Sequence, residues 1–308
     1  ELEAKIEELR NFSESTDVDL SDQIEKLKVR CREKRQAIFS KLTPWQRVQL
    51  ARHPERPLTS DYVAMFVEQF VELHGDRCFA DDPSILTGLG RIEGRKVLLV
   101  GHRKGRDTAE KIACQFGSSH PEGYRKAILK MKLAEKFGLP VVTLINTPGA
   151  YPGVGAEERG QAFIIARNLM EMSRLRVPVV CVVIGEGGSG GALGIGVGNR
   201  ILMMEHAYYS VISPEGCAAI LWKSADYKER AADILKLTAV DLEGFGVVDE
   251  IIPEPVGGAH RDHRLAGERL RKAIVRHLDD LSSMTAEELV AHRSEKFRQI
   301  GALETSDK

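Results

Sequence analysis

The chain has 308 residues, with Lys+Arg 44 against Asp+Glu 45, a formal net charge of -1, and 43% hydrophobic and 29% charged residues. That length buries a sizeable core without disulfide or metal staples, and the composition is far from that of a disordered chain. Balanced charge gives no global attraction to nucleic acid or to an anionic membrane, so neither is expected as a partner and any charged ligand must be held locally.

The cysteines (Cys31, Cys78, Cys114, Cys181 and Cys217) are odd in number and scattered, with only His74, near Cys78, at anything like ligand spacing. Neither a disulfide framework nor a metal site is expected. No apolar run approaches the ~20 residues of a membrane helix. The opening Glu1-Leu2-Glu3-Ala4-Lys5 lacks the layout of a secretory signal, so a reduced cytoplasmic location is the expectation.

In chain order, residues 1–56 place apolar residues at helical spacing (Leu2, Ile6, Leu9, then Leu20, Ile24, Leu27 and Ala37, Ile38, Leu42) among charges of both signs, interrupted by Ser13–Ser21. This predicts a helical arm of two helices and a connector, either packed on its own domain or docked on another subunit. A helix capped by Ser60 or Asp61 and carrying Val63, Phe66, Val67 and Phe70 on one face opens the main domain. Ile85–Ile92 and Lys96–Gly101 flank Glu93-Gly94 as a hairpin. Gly123–Phe137 reads as an amphipathic helix, Val141–Asn146 as a buried strand, Glu157–Leu175 as one long helix and Val177–Ile184 as a second buried strand. The two strands are uncharged, as parallel strands covered on both faces require, and strand, helix, strand implies a right-handed crossover. Short strands follow at Ile201–Met204, Tyr208–Ile212 and Val247–Ile252, with helices at Ala218–Trp222, Arg264–Leu278 and Ala286–Ile300. The domains expected are an arm over 1–56, a core over 57–262 and C-terminal helices over 263–308.

The most informative stretch is Gly185-Glu186-Gly187-Gly188-Ser189-Gly190-Gly191-Ala192-Leu193-Gly194, directly after a buried strand. It satisfies G-x-G-x-x-G, with Glu205 where a ribose-binding acid would lie, but the following helix is short and glycine-rich. It also satisfies G-x-S-x-G around Ser189, with His206, His260 and His263 as bases and Asp226, Asp241 and Asp249 as orienters. A third chemistry is backbone-only: glycines opening a short helix let peptide N–H groups converge on an oxyanion. Tight helix–sheet packing alone is a fourth reading. The loop Thr147–Ala156, stiffened by Pro148 and Pro152, leaves the strand Val141–Asn146 and ends where Glu157-Glu158 open a helix, so two glycine loops border one crevice at the carboxyl ends of neighbouring strands. Elsewhere, Gly101–Arg106 is a basic cluster, read as a solvated charged turn rather than a site for a phosphate or a carboxylate. Glu215 reads as a helix-capping acid before it reads as a site residue. His74, His102 and His120 read as structural or exposed.

The runs Thr147-Pro148-Gly149-Ala150-Tyr151-Pro152-Gly153-Val154-Gly155-Ala156-Glu157-Glu158-Arg159-Gly160-Gln161, Val183–Leu193 and Tyr209–Ala218 closely resemble the alpha subunits of bacterial-type acetyl-CoA carboxylase carboxyltransferases. The likeness covers about 85% of the chain, from Glu1–Ile6 through Ala51-Arg52-His53-Pro54 to Ile252–His260; the last ~45 residues carry no recognised motif. The resemblance implies an α/β, crotonase-like (ClpP/crotonase) spiral of ββα units. It implies an alpha2beta2 assembly with a beta subunit of the same fold, joined in the full complex by biotin carboxylase and the biotin carboxyl carrier protein. The reaction it implies moves a carboxyl group from carboxybiotin on that carrier to acetyl-CoA, giving malonyl-CoA for fatty acid synthesis, with the acyl-CoA on the beta partner. Matched residue by residue, it places the oxyanion donors on the backbone N–H groups of Gly190 and Gly191, and the biotin pocket wall on Gly149, Ala150, Tyr151 and Gly153.

Overall fold

Short β-branched runs pair into one eight-stranded sheet in a computed structural model that describes residues 2–16 and 19–301. The strands are β1 (Glu68–Glu72), β2 (Ile85–Ile92), β3 (Arg95–His102), β4 (Val141–Thr147), β5 (Val179–Gly188), β6 (Arg200–Met204), β7 (Tyr208–Ser210) and β8 (Glu250–Ile252). Their order is β1-β2-β3-β4-β5-β6-β8, with β7 on the far end of β5. β1, β2 and β3 are antiparallel and every later pairing is parallel. Glu93 (φ 47) and Gly94 (φ 76) make the two-residue hairpin turn expected between β2 and β3. Val141–Thr147 and Val179–Gly188 are buried at every position, because helices cover both faces of the sheet.

The helices are α1 (Leu2–Thr16), α2 (Ser21–Phe39), α3 (Pro44–Ala51), α4 (Thr59–Phe66), α5 (Thr108–Ala113), α6 (Pro121–Lys136), α7 (Val154–Glu158), α8 (Gln161–Arg174), α9 (Ser189–Leu193), α10 (Pro214–Trp222), α11 (Lys228–Leu235), α12 (Ala239–Gly244), α13 (His263–Ser282) and α14 (Ala286–Gln299). Three departures from the sequence reading have local causes. The helix expected through Phe70 stops at Phe66, and Glu68–Glu72 pairs with β2 instead, Val71 lying opposite Leu89. The long helix expected over Glu157–Leu175 is broken by Gly160 at φ 80, a left-handed residue between α7 and α8. β5 runs on through Gly188, so half of the glycine segment is strand rather than loop.

In the arm, α1 buries no side chain and α2 buries only Ile24, whereas the unexpected third helix α3 buries Val48 and Ala51 against Tyr208, Ala232 and Leu237. Its signal was a capping box, with Thr43 accepting from the Gln46 N–H and Gln46 returning the bond. The connector expected over Ser13–Ser21 is helical up to Thr16, and residues 17 and 18 lie outside the described residues. α13 and α14 close the other end. Leu270, Ala273 and Ile274 join the main core, and the buried Arg293 guanidinium donates to the carbonyls of Met172 and Leu175 (both 2.8 Å), Val177 (3.1 Å) and to Asn199 Oδ1 (2.6 Å). A cation thus satisfies the free carbonyls at the end of α8 just before β5 begins.

The chain leaving α3 is pinned by Arg56, 1% exposed, whose Nε donates to the Ile184 carbonyl (2.8 Å) and whose other nitrogens hold Glu254. Glu254 also accepts from the His206 and Ala259 N–H groups, so one carboxylate gathers the arm exit, β6 and the segment after β8. Breaking such a pair strands a buried charge. Arg56→Met is expected to cost about 3–5 kcal/mol, read from the shift in the urea unfolding midpoint.

Candidate functional site

The site is built where β4 and β5 end side by side. Between the pairs Ile145–Val183 and Thr147–Gly187 their register slips, and the Asn146 side chain fills the slip, its Oδ1 accepting from the Glu186 N–H at 3.1 Å. Past it the two backbones touch. A β-carbon on Gly188 would lie 2.2 Å from the Pro148 carbonyl oxygen, and one on Gly191 would lie 2.5 Å from Ala150 N. Only glycine fits at either position. β5 then turns into α9 through Ser189 at φ 52, with Gly188 as an N-cap that has no side chain to offer. The first-turn N–H groups of α9, Gly190 and Gly191 included, have no intrahelical acceptor and no capping side chain. A β-carbon at Gly190 would meet nothing closer than Ile165 Cδ1 at 3.7 Å.

Gly149 and Ala150 lie against this turn at Gly191 and Ser189, and Tyr151 and Gly153 pack on one another further along the loop. The Tyr151 ring lies on Gly153, where a β-carbon would sit 2.4 Å from Cε1, and stacks on His120 at 4.2 Å between centroids. The loop is tied down by Tyr151 N–H to the Ser119 carbonyl (3.0 Å) and by Gln161 Nε2, which donates to the carbonyls of Ser119 (2.7 Å) and Tyr151 (3.0 Å). His120 is therefore structural, a brace for the Tyr151 loop. Beneath α9 lies a bracket absent from the sequence reading. Tyr124, fully buried, donates to the Gly191 carbonyl (3.2 Å) and packs its ring on Gly194, while Asn168 Nδ2 donates to the carbonyls of Tyr124 (3.0 Å) and Gly194 (2.9 Å).

The basic cluster is also corrected. Arg103 pairs with Glu72 and Arg106 with Asp61, but Lys104 turns inward to Glu186, and burial holds the His102 ring neutral, down at about 3. Glu186 accepts in addition from Arg52 Nε (2.8 Å) and the Tyr208 hydroxyl (2.7 Å). Burial alone would raise this carboxyl; Lys104 and Arg52 outweigh it and hold it down at about 2. Arg52 also reaches Glu215 at 2.6 Å, so Glu215 belongs to this network, and the cap of α10 is Ser213, which accepts from the Gly216 N–H (3.1 Å). One signal for Glu186 was present: a lone charge inside a segment otherwise of glycine, at the end of an uncharged strand.

Neither side-chain reading of the glycine segment is assembled. Among the described residues His206 faces Arg47 (3.0 Å), His260 stacks on His53 and His263 bonds the Glu55 carbonyl, so none serves Ser189. Asp226, Asp241 and Asp249 are engaged with Ser224, Thr238 and Lys296. Glu205 accepts from the Glu254 N–H, and α9 has only 5 residues, too few for a dinucleotide-binding helix.

The fold, a β-hairpin leading into parallel strands with glycine-lined turns at their ends, is that of the crotonase-like carboxyltransferases. Transcarboxylase 12S superposes with a TM-score of 0.60 at 19% identity, over 74% of this chain and 42% of that one. The Pseudomonas aeruginosa geranyl-CoA carboxylase beta subunit gives 0.58 at 19% over 77% and 43%, and the Pseudomonas malonate decarboxylase MdcD-MdcE hetero-dimer 0.58 at 16% over 70% and 89%. The chain belongs to the acetyl-coenzyme A carboxylase carboxyltransferase family, whose model, described as acetyl co-enzyme A carboxylase carboxyltransferase-like, matches residues 1–301. Similar curated proteins are the carboxyl transferase alpha subunits of Methylococcus capsulatus, 54% identical over 99% of this chain and 95% of that one, and of Geobacillus sp. strain WCH70, 56% identical over 98% and 93%.

Because the folded-state pKa of Glu186 is depressed, its contribution to stability is complete above its ordinary value of 4.5 and is lost as pH falls toward about 2. Acid unfolding of Glu186→Gln is expected to show a shallower loss of stability over that window than the parent, read from urea midpoints at successive pH values. Asn168→Ala, which removes two buried hydrogen bonds, is expected to cost about 1–3 kcal/mol by the same measurement.

Proposed function

We propose that this chain holds the carboxyl-donor half of a carboxyl-transfer site and that a beta-type subunit holds the acyl-CoA half. The observation that carries the reading is the β5–α9 turn: uncapped peptide N–H groups at Gly190 and Gly191, no side chain over Gly190, and a Tyr151 loop already fixed beside it. The donor substrate is carboxybiotin on a separate carrier protein, which supplies an activated carboxyl group. The fit rests on the donor set. An oxygen that gains negative charge as the carboxyl departs needs donors set in advance and no competing side chain, and no side-chain acid or base is required for that step. The Tyr151 loop, braced by His120 and Gln161, orients the bicyclic donor against those N–H groups.

Two oxygens gain charge in such a transfer, the donor's ureido oxygen and the thioester carbonyl of acetyl-CoA, and each needs its own pair of donors. This chain offers one such pair, at Gly190 and Gly191. The elements flanking the turn, α7, α8 and α9, also carry Val154 (76% exposed), Phe163 (70%) and Leu193 (38%), apolar groups suited to a partner subunit. No helix of the described residues is long and apolar enough to cross a membrane.

Gly190→Pro, which deletes one donor, is expected to lower turnover with the beta-type subunit by roughly 10²–10³, with unchanged melting temperature and subunit binding as the control; normal turnover of the folded variant refutes the assignment. Tyr151→Ala is expected to raise the KM for the biotinyl carrier and leave that for acetyl-CoA nearly unchanged; an equal rise for both would remove the loop from the donor pocket. The chain alone is expected to show no malonyl-CoA decarboxylation with added biotin until the beta-type subunit is supplied.

A further inference from the structure

A second crevice lies across Pro148 from the glycine turn, at the carboxyl ends of β3, β4 and β5, with a volume of about 290 Å³. Its floor is the Lys104–Glu186 pair and its sides carry Arg52, Lys111, Pro148 and Phe116. Glu186 is the one acid among its lining residues, and it is already shared by Arg52 and Lys104. Arg56, which also lines it, is spent on Glu254. Lys111, half-buried in the last turn of α5, forms no ion pair among the described residues. Arg52 and Lys104 are matched by Glu186 and Glu215, so the surplus positive charge of this partly desolvated cleft is that of Lys111, the group on which an anion would be held.

The apolar side of the cleft is specific as well. Gln115 (φ 48), Phe116 (φ 55) and Gly117 (φ 88) are three left-handed residues in succession, two of them bearing β-carbons that disfavour that conformation. The turn is wedged in place, since a β-carbon on Gly117 would lie 2.7 Å from Lys104 Cγ and 3.2 Å from the Asn146 carbonyl oxygen. Its outcome is a Phe116 side chain left 57% exposed on the rim of a cation-lined cleft. Strain of this kind collects at ligand sites, and an exposed aromatic ring beside the unpaired Lys111 ammonium suits a ligand with an anionic head and an apolar body.

We propose that this crevice binds a small oxyanion-headed ligand, a carboxylate or a phosphate carried on a short apolar body, with the head on Lys111 and Lys104 and the body against Phe116. The site is separate from the Gly190 turn and does not require that the turn be catalytic. A volume of about 290 Å³ admits a head group and a short chain. The donors differ in role: Lys104 is held by Glu186 and supplies a fixed positive floor, while Lys111 is free to close a charge-assisted bond.

The test is calorimetric titration of the full chain, together with any subunit that co-purifies, using acetate, valerate, inorganic phosphate and butyl phosphate at fixed ionic strength. The longer probe of each pair is expected to bind more tightly than its headgroup alone. Lys111→Met is expected to weaken every probe by about ten-fold. Phe116→Ser is expected to bring valerate to the level of acetate, and butyl phosphate to that of phosphate, while leaving the headgroups unchanged. The tighter of valerate and butyl phosphate identifies the head. Phe116 is exposed and Lys111 half-buried, and an unchanged melting temperature confirms folding. Gly190→Pro is expected to bind the probes as the parent does, so loss of turnover in that variant and loss of binding in these remain distinguishable. Absence of saturable binding, or binding that neither Lys111→Met nor Phe116→Ser alters, overturns the proposal.

Discussion

The arrangement of the site depends on one steric constraint, the passage of two backbones within van der Waals contact at the ends of β4 and β5. Gly188 lies against the Pro148 carbonyl and Gly191 against the Gly149–Ala150 peptide, with no room for a β-carbon at either glycine. Everything local follows from keeping that contact. Asn146 fills the register slip that lets β5 bend toward the loop, and Tyr124 and Asn168 hold α9 from below so that its first turn cannot drift away. The loop is in turn held from its far side by Ser119 and Gln161. Both walls of the turn are thus set before any ligand arrives, which is the condition under which peptide dipoles stabilise a developing charge without reorganising.

Beside this uncharged turn sits a dense ionic network, and its placement has a physical reason. Arg52, Lys104, Tyr208 and Glu215 meet at or around Glu186, joining α3, the exit of β3, β5, β7 and α10. Buried ion pairs add little net stability compared with apolar packing, but each member becomes costly to displace once its partner is in place. Five elements drawn from distant parts of the chain are therefore locked in one relative position. Arg56–Glu254 does the same for the arm exit, β6 and the segment after β8, and Arg293 for the junction of α8 and β5. Charge in this protein acts as registration between segments far apart in sequence.

That also explains what was legible in the sequence. The uncharged β-branched runs and the Glu93-Gly94 turn made β2 to β5 readable, since strand burial and turn conformation are written locally. Of the residues expected at the site, Gly149 and Ala150 lie against Gly191 because both runs end adjacent parallel strands. Arg52, Lys104, Tyr124 and Asn168 were not readable: their partners lie dozens of residues away, and nothing in a single sequence distinguishes a lysine that turns inward from one that faces water. The break of the expected long helix at Gly160 was misread because a glycine amid good helix formers marks a left-handed residue only when the neighbouring packing demands it.

The match of this segment to a serine-nucleophile pattern has the same origin as the backbone use proposed for it. A strand that must reverse at once into a helix needs a left-handed residue at the junction and small residues around it, whatever chemistry follows. In a hydrolase the junction residue itself is used, its hydroxyl thrust forward beside a histidine. Here the same backbone path runs through Ser189 at φ 52 between Gly188 and Gly190, and His206, His260 and His263 are each committed elsewhere. What the turn retains is its peptide groups. A pattern of glycines around a serine therefore reports a backbone requirement first, and only the groups packed around the turn decide whether the hydroxyl or the N–H groups do the work.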